Sequence, residues 1–210
     1  MEKPILATNI DGFLIDHKAF IEPHKAWFEK AIKITNDESL RKWIGHENYF
    51  LGVNDAMKKI MPKGTKKQQT FQARRWYQEA VIDYIGNNPE VINNKLKKYL
   101  IDLKQKFKLA LITSNTKTYV GKILSVSGLE NIYDIIHASE TEHEPSKENL
   151  FESFNKKYGK PKYYIASRNK EPFELCKKFG IYCIYFSQGE VDTDLENISD
   201  KTIRNFDELK

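Results

Sequence analysis

The chain lacks the features that mark secreted and membrane-spanning proteins. No apolar run approaches the roughly 18 residues needed to cross a bilayer, and the first residues, Met-Glu-Lys-Pro, lack the apolar stretch of a signal peptide. Its two cysteines, Cys176 and Cys183, could pair with each other, but without a secretion signal they are expected to stay reduced and buried. We therefore expect a soluble cytoplasmic protein with no membrane partner.

The chain also lacks a strong excess of one charge. It carries 34 basic and 29 acidic residues, so the net charge of +5 is a small fraction of the total and does not require a nucleic-acid partner. No internal repeat or low-complexity stretch is present. The 210 residues, 40% of them hydrophobic, suffice for one core or for a core domain with a smaller insert.

Apolar runs alternate with helical patterns over most of the chain. Five short runs are typical of buried parallel strands: residues 5–8, 109–112, 133–136, 163–166 and 182–186. Three helical patterns follow strands and are closed by a glycine: residues 119–126, 147–158 and 171–179. Strands that alternate with helices of this length predict an α/β fold with a doubly wound parallel sheet.

A long segment after the first strand breaks this alternation. Four successive amphipathic helices are predicted there: residues 20–34, 40–60, 66–85 and 89–107. An all-helical insert thus separates the first two strands, and the last helix returns the chain to the core. We place the core domain at residues 1–16 and 88–210 and the insert at 17–87.

The first strand leads into a segment with a known counterpart. In a sheet of this kind, ligands bind outside the carboxyl ends of the strands. Here Asn9, Asp11 and Gly12 follow the strand in Asn-Ile-Asp-Gly-Phe-Leu. The segment resembles the first signature of the haloacid dehalogenase-like hydrolase superfamily, Asp-x-Asp-Gly-(Thr or Val)-Leu. The resemblance implies a phosphatase with a helical cap between its first and second signatures.

Two later segments are similar to the second and third signatures of that family. Thr113, after the run 109–112, matches the hydroxyl that hydrogen-bonds the transferring phosphoryl group, although a helix N-cap also explains it. Lys147 matches the lysine that neutralises the nucleophile and the phosphate, and it begins a predicted helix. An alignment through Glu144–Pro145 competes, because it places an acid where the lysine belongs, and a solvated lysine explains Lys147 equally well.

The fourth signature normally supplies carboxylates that hold magnesium. Ser167 follows the run 163–166 at the position where an acid is expected, which leaves Glu171 as a possible carboxylate. Glu171 is also explained as an acidic residue in the first turn of a helix. The closing segment from Thr202 to Leu209 looks like the last strand and short helix of the family, so the resemblance covers the whole chain.

The resemblance implies that the first Asp attacks phosphorus, the second acts as general acid and base, and magnesium bridges carboxylate and phosphate. In this chain the first position is Asn9, a neutral amide that cannot supply the anionic nucleophile. The catalytic positions are then Asn9, Asp11, Thr113 and Lys147. The phosphate-binding candidates are Gly12, Thr113, Ser114, Asn115 and Lys147. The candidate ligands of a weakened magnesium site are Asn9, Asp11, Ser167 and Glu171.

Three functions therefore remain open. The first is a protein of this family that binds a small phosphorylated metabolite and hydrolyses it weakly or not at all. The second is an active magnesium-dependent phosphatase in which Asn9 replaces a natural aspartate and Glu171 or Glu144 provides a displaced ligand. The third is a non-catalytic binding module that uses a basic, aromatic surface of the insert. Such a surface could bind RNA, but packing of the aromatic residues within the insert is the favoured explanation.

The insert offers candidate substrate contacts by position alone: Tyr49, Phe50, Arg74, Arg75 and Trp76. Phe71, Trp76 and Tyr77 can also pack on one side of a helix while the basic residues are solvated, which is the simpler explanation. His17, His24 and His46 are too far apart in sequence to indicate a metal site. The sequence does not determine a substrate or an oligomeric state.

Overall fold

The structure, a computed structural model, describes residues 3–46, 48–140, 146–187 and 191–209. The chain divides into two compact units. The core unit comprises Met1–Asp16 and Ile92–Lys210, and the helical unit comprises His17–Val91. No helix within the described ranges is both long enough and apolar enough to cross a membrane.

The core unit is built on a parallel sheet. Its strands are β1 (Ile5–Thr8), β2 (Lys108–Thr116), β3 (Ile135–Ser139), β4 (Tyr163–Ala166), β5 (Tyr182–Phe186) and β6 (Lys201–Ile203). They are arranged in the order β3-β2-β1-β4-β5-β6, and every neighbouring pair is parallel. The order reverses at β1, which is the point where a doubly wound sheet opens its ligand crevice. The predicted fold class is confirmed.

Helices connect the strands and form the insert. In chain order they are α1 (Lys18–Thr35), α2 (Tyr49–Ile60), α3 (Lys66–Asn87), α4 (Asn94–Lys106), α5 (Lys117–Val126), α6 (Lys147–Tyr158), α7 (Lys170–Phe179) and α8 (Thr193–Ile198). Short 3-10 helices lie at Glu38–Trp43, Pro89–Val91 and Phe206–Leu209. Since β3, β4 and β5 are parallel, α6 and α7 each run back across the sheet and start at its carboxyl edge.

The core lies between the sheet and the helices that cover it. Phe151, Phe154, Tyr164 and Phe173 are completely buried there, and burying a side chain of this size contributes about 1.5–3 kcal/mol. Both cysteines are free and buried in the same cluster. A hydrogen bond with Cys183, together with burial, raises the pKa of the Cys176 thiol, so this sulfur stays protonated.

The helical unit has its own core, formed by α1, α2 and α3. Trp27 and Phe28 are buried in it, and Trp43 and Trp76 pack against its edge. The ring of Trp43 covers Gly52 so closely that a side chain at position 52 would overlap it. Helix α3 begins with a capping box, in which the Thr65 side chain and the Gln68 side chain each bond the other's backbone amide.

Two predicted helices are divided in the structure. The segment 40–60 is a 3-10 helix followed by α2, because Ile44 is extended and Gly45 has a positive φ of 74°. The segment 89–107 is interrupted at Asn93, whose amide donates to the Leu14 carbonyl and whose side chain caps α4 by accepting from Leu96 N at 3.1 Å. In both cases the local backbone conformation interrupts the helix, although the apolar spacing continues through the break.

Candidate active site

The carboxyl end of β1 lies between β2 and β4. Thr8 is in register with Leu111 of β2 and with Ile165 of β4. One residue further along, Asn9 is level with Ile112 and Ala166, and neighbouring strands are about 4.8 Å apart. Asn9, Thr113 and Ser167 therefore reach the same edge of the sheet within one residue of each other.

A buried hydrogen bond supports this edge from below. The hydroxyl groups of Thr8 and Tyr133 are 2.6 Å apart, and both side chains are buried. Burial raises the pKa of the Tyr133 phenol, so the group stays neutral at physiological pH. The bond joins β1 to the segment that precedes β3 and holds the residue before Asn9 in place.

The loop after β1 is a compact turn closed by its own backbone. The Ile10 carbonyl accepts from the amides of Phe13, Leu14 and Ile15 at 3.0–3.4 Å. Gly12 has a φ of 74° and donates its amide to the Ile15 carbonyl at 2.9 Å. The Gly12 amide is thus already used within the loop and is not a free donor for a ligand. Because glycine has no side chain, a ligand can still approach the backbone closely at this position. Asp11, beside it, is partly buried.

Thr113 is buried within β2 rather than at the start of a helix. Its hydroxyl accepts from the Asn115 amide at 3.2 Å and from the Asn115 side chain at 3.3 Å. The hydroxyl hydrogen is then the part of Thr113 that a ligand oxygen can use. Thr116 caps α5 by accepting from Tyr119 N, so the explanation of Thr113 as a helix cap is wrong. Ser114, between them, is partly buried.

Lys147 is the first residue of α6, as predicted. Ser146 caps this helix by accepting from Asn149 N at 3.3 Å. The Lys147 ammonium lies 3.3 Å from a carboxylate oxygen of Glu171, and its side chain is 18% exposed while that of Glu171 is 57% exposed. The pair brings the starts of α6 and α7 together. The competing alignment, Glu144–Pro145, lies outside the described residues.

Two buried polar atoms at this edge have no hydrogen-bond partner in the described part of the chain. They are Oδ1 of Asn9 and Oγ of Ser167, and Ser167 as a whole is only 6% exposed. A buried polar atom left without a partner costs about 1–3 kcal/mol. A ligand that bonds these atoms recovers part of that cost, which favours binding here.

Arg168 is a site residue that the sequence pattern does not single out. A Cβ atom on Gly12 would lie 3.0 Å from Ser167 Cβ, 3.4 Å from Arg168 Cγ and 3.5 Å from Arg168 Cδ. The aliphatic part of Arg168 therefore lies beside Gly12, and the tight contact of the added atom would be with Ser167. The position of Arg168 between β4 and α7, at the edge where ligands bind, is the signal that could have identified it.

The side chains at this edge do not form a suitable set of magnesium ligands. Magnesium prefers oxygen ligands and is usually held by carboxylates. At this edge Asn9 and Ser167 are neutral, Glu171 is paired with Lys147, and among the four candidate ligands only Asp11 is left as a carboxylate. In the described ranges no group of three or more His, Cys, Asp or Glu side chains is placed to hold a metal ion.

The candidate contacts of the helical unit are in different environments. The Tyr49 ring lies 4.0 Å from that of His24, and Trp76 lies beneath the Lys30 ammonium at 4.4 Å. Arg75 forms an exposed ion pair with Glu79 at 2.9 Å.

Not all of the aromatic residues of α3 pack as expected. Trp76 and Tyr77 pack against the core of the helical unit. Phe71 is 45% exposed, so the expectation that it packs beside them is wrong. Arg74 on the same helix is partly buried.

Comparisons with known proteins agree with this geometry. A family model described as haloacid dehalogenase-like hydrolase matches residues 9–165. None of the curated proteins matches the chain in sequence. Among solved structures, the haloacid dehalogenase-like family protein SP0104 from Streptococcus pneumoniae is 15% identical with a TM-score of 0.67, over 99% of this chain and 96% of its own.

Two further structures share the fold over nearly their whole length. A HAD phosphatase from Thermococcus onnurineus is 17% identical with a TM-score of 0.65, over 100% of this chain and 96% of its own. YfnB from Bacillus subtilis, solved bound to magnesium, is 14% identical with a TM-score of 0.64, over 100% and 97%. At these identities the likeness is one of fold.

Proposed function

Because the chain belongs to the haloacid dehalogenase-like hydrolase family, we propose that it binds a small phosphorylated metabolite at the carboxyl end of β1 and hydrolyses it weakly or not at all. The observation that carries this proposal is the amide of Asn9 at the end of the central strand. In a phosphatase of this family an aspartate is expected there.

The chemistry explains why one residue has this effect. A carboxylate attacks phosphorus because it is anionic, and the acyl phosphate that forms is opened by water. The Asn9 amide is neutral and cannot form that intermediate. Asp11 remains two residues later, and general acid assistance is typically worth about 10²–10⁴-fold. That assistance acts on the leaving group and does not replace the missing covalent step.

The remaining side chains suit phosphate binding. Thr113 has a hydroxyl hydrogen to donate, and Lys147 holds an ammonium group at the same edge of the sheet. Ser114 and Asn115 continue β2 beyond Thr113, and Gly12 allows close approach of the backbone. We expect magnesium, which YfnB binds, to add little here because Asn9 and Ser167 supply no charge.

We propose that the helical unit acts as a cap that selects the substrate. Its proposed contacts are the four polar and aromatic residues Tyr49, Arg74, Arg75 and Trp76. Nucleic-acid binding by this unit is not favoured, because Arg75 is paired with Glu79 and Trp76 packs against the core of its own unit.

Phosphate release from a panel of phosphorylated metabolites tests the proposal. The protein and its Asn9→Asp variant are assayed with magnesium, and Asn9→Asp is expected to be the faster of the two. The matched control is the double variant Asn9→Asp/Asp11→Asn, which keeps the restored nucleophile but loses the acid. Its rate is expected to fall about 10²–10⁴-fold below that of Asn9→Asp.

Turnover by the unaltered protein at the rate of Asn9→Asp would show that Asn9 is not the disabling residue. If neither protein turned over any metabolite and neither bound one in calorimetry, the assignment of this edge as a phosphate site would be wrong.

A further inference from the structure

We propose that this site binds the phosphate group without a metal ion, and that the guanidinium of Arg168 provides the positive charge that a bound magnesium ion would otherwise supply. This inference rests on the proposed function, since it concerns how the same site holds its ligand. It predicts a phosphate affinity that does not change when divalent cations are removed.

The charge balance at the edge supports this inference. Lys147 and Glu171 form an ion pair, so together they contribute little net charge. Arg168 forms no ion pair with any residue that the structure describes, and its side chain is exposed at the start of the segment leading to α7. Arg168 is therefore a cation at this edge that no described carboxylate pairs with, and it is available to neutralise an anion.

The geometry fixes where this cation can act. A Cβ atom added to Gly12 would be in ordinary van der Waals contact with Cγ and Cδ of Arg168, so the aliphatic part of this side chain lies beside the loop that follows β1. This packing restricts the arginine before a ligand arrives, which reduces the entropy lost on binding. A guanidinium is planar and can donate two parallel hydrogen bonds to a phosphate, which an ammonium cannot do.

The buried polar atoms complete the argument. The Ser167 hydroxyl is buried beside Gly12 and has a hydrogen to donate, yet it finds no acceptor in the described residues. Turning the Asn9 amide exchanges its oxygen and nitrogen, so its buried end can donate as well. Hydroxyl, amide and guanidinium donors all suit phosphate oxygens, whereas a magnesium ion requires acceptors.

Calorimetric titration with inorganic phosphate at constant ionic strength tests this inference. The protein is titrated once with excess EDTA and once with magnesium chloride, and the two dissociation constants are expected to agree within about twofold. Arg168→Gln is expected to weaken phosphate binding about tenfold, which corresponds to about 1.4 kcal/mol. The matched control is Lys177→Gln, which removes the same charge from the other end of α7, where the side chain is exposed.

Each other outcome has a distinct meaning. Phosphate binding that requires magnesium would overturn this inference and leave the proposed function intact. Binding that Arg168→Gln and Lys177→Gln weaken equally would also overturn it, since only general charge would then matter. Absence of phosphate binding in both buffers would overturn the proposed function itself. Thermal melting tests whether both variants fold. Both are expected to fold, because neither residue lies in the core.

Discussion

Replacing Gly12 by alanine is expected to destabilise the core unit. The φ of 74° lies in the left-handed region, which costs a residue with a side chain about 1–2 kcal/mol. The added Cβ would also lie 3.0 Å from Ser167 Cβ, so the loop and β4 must separate by a few tenths of an ångström. Overpacking of this kind costs about 1–3 kcal/mol, and we expect a total loss of about 2–5 kcal/mol.

Thermal unfolding followed by far-ultraviolet circular dichroism measures this loss. For a chain of this size, 1 kcal/mol corresponds to a shift in Tm of roughly 2–4 °C, so the Tm should fall by about 4–20 °C. The phosphate affinity should fall as well, because the new methyl group pushes away Ser167, whose hydroxyl is a proposed phosphate donor.

A second glycine provides the control. Gly121 lies inside α5 and is exposed, and a Cβ atom added there would meet no heavy atom of another element within 4 Å. Gly121→Ala is therefore expected to stabilise the protein by about 0.5–1 kcal/mol through helix propensity. If Gly12→Ala melted at or above the temperature of the unaltered protein, the positive φ of Gly12 and its close packing against Ser167 would not hold.

Two further predictions concern buried polar groups. Burial lowers the pKa of His24 from its ordinary 6.5 to about 4, so the unfolded chain takes up a proton in this window while the folded one does not. The free energy of unfolding should therefore fall as the pH is lowered from 6.5 to 4. In thermal melts across this range, His24→Gln should show a weaker dependence on pH. An equally steep dependence for the variant would contradict this prediction. Thr8→Val leaves the Tyr133 hydroxyl buried without its 2.6 Å partner and should cost about 1–3 kcal/mol in urea unfolding. Adding Tyr133→Phe should recover most of the loss, and no recovery would show that the bond is not the cause.

The sequence predicts the strands better than the helix boundaries. The runs 5–8, 163–166 and 182–186 coincide with β1, β4 and β5, because central parallel strands are buried on both faces and read as continuous apolar runs. The run 133–136 is displaced, since β3 begins only at Ile135. Helix α8 is missing from the sequence prediction, because six largely polar residues capped by Asp192 carry too short a pattern.

The site divides in a similar way. Asn9, Thr113 and Ser167 could be placed at one edge because each follows a predicted apolar run, and parallel strands end at the same edge of a sheet. Arg168 could be placed at this edge because it comes soon after the run 163–166, but its position beside Gly12 could not be predicted, since only the folded loop creates that contact. The pairing of Lys147 with Glu171 joins two helices 24 residues apart, and sequence spacing does not reveal it.

The placement of the tryptophans gives the chain a built-in optical label. All three tryptophans, Trp27, Trp43 and Trp76, belong to the helical unit, whereas the core unit contains tyrosine and phenylalanine as its aromatic residues. Selectively excited tryptophan emission therefore reports unfolding of the helical unit, while circular dichroism reports both units. Coincident transitions by the two methods would show that the units unfold as one cooperative system, and separate transitions would give each unit its own stability.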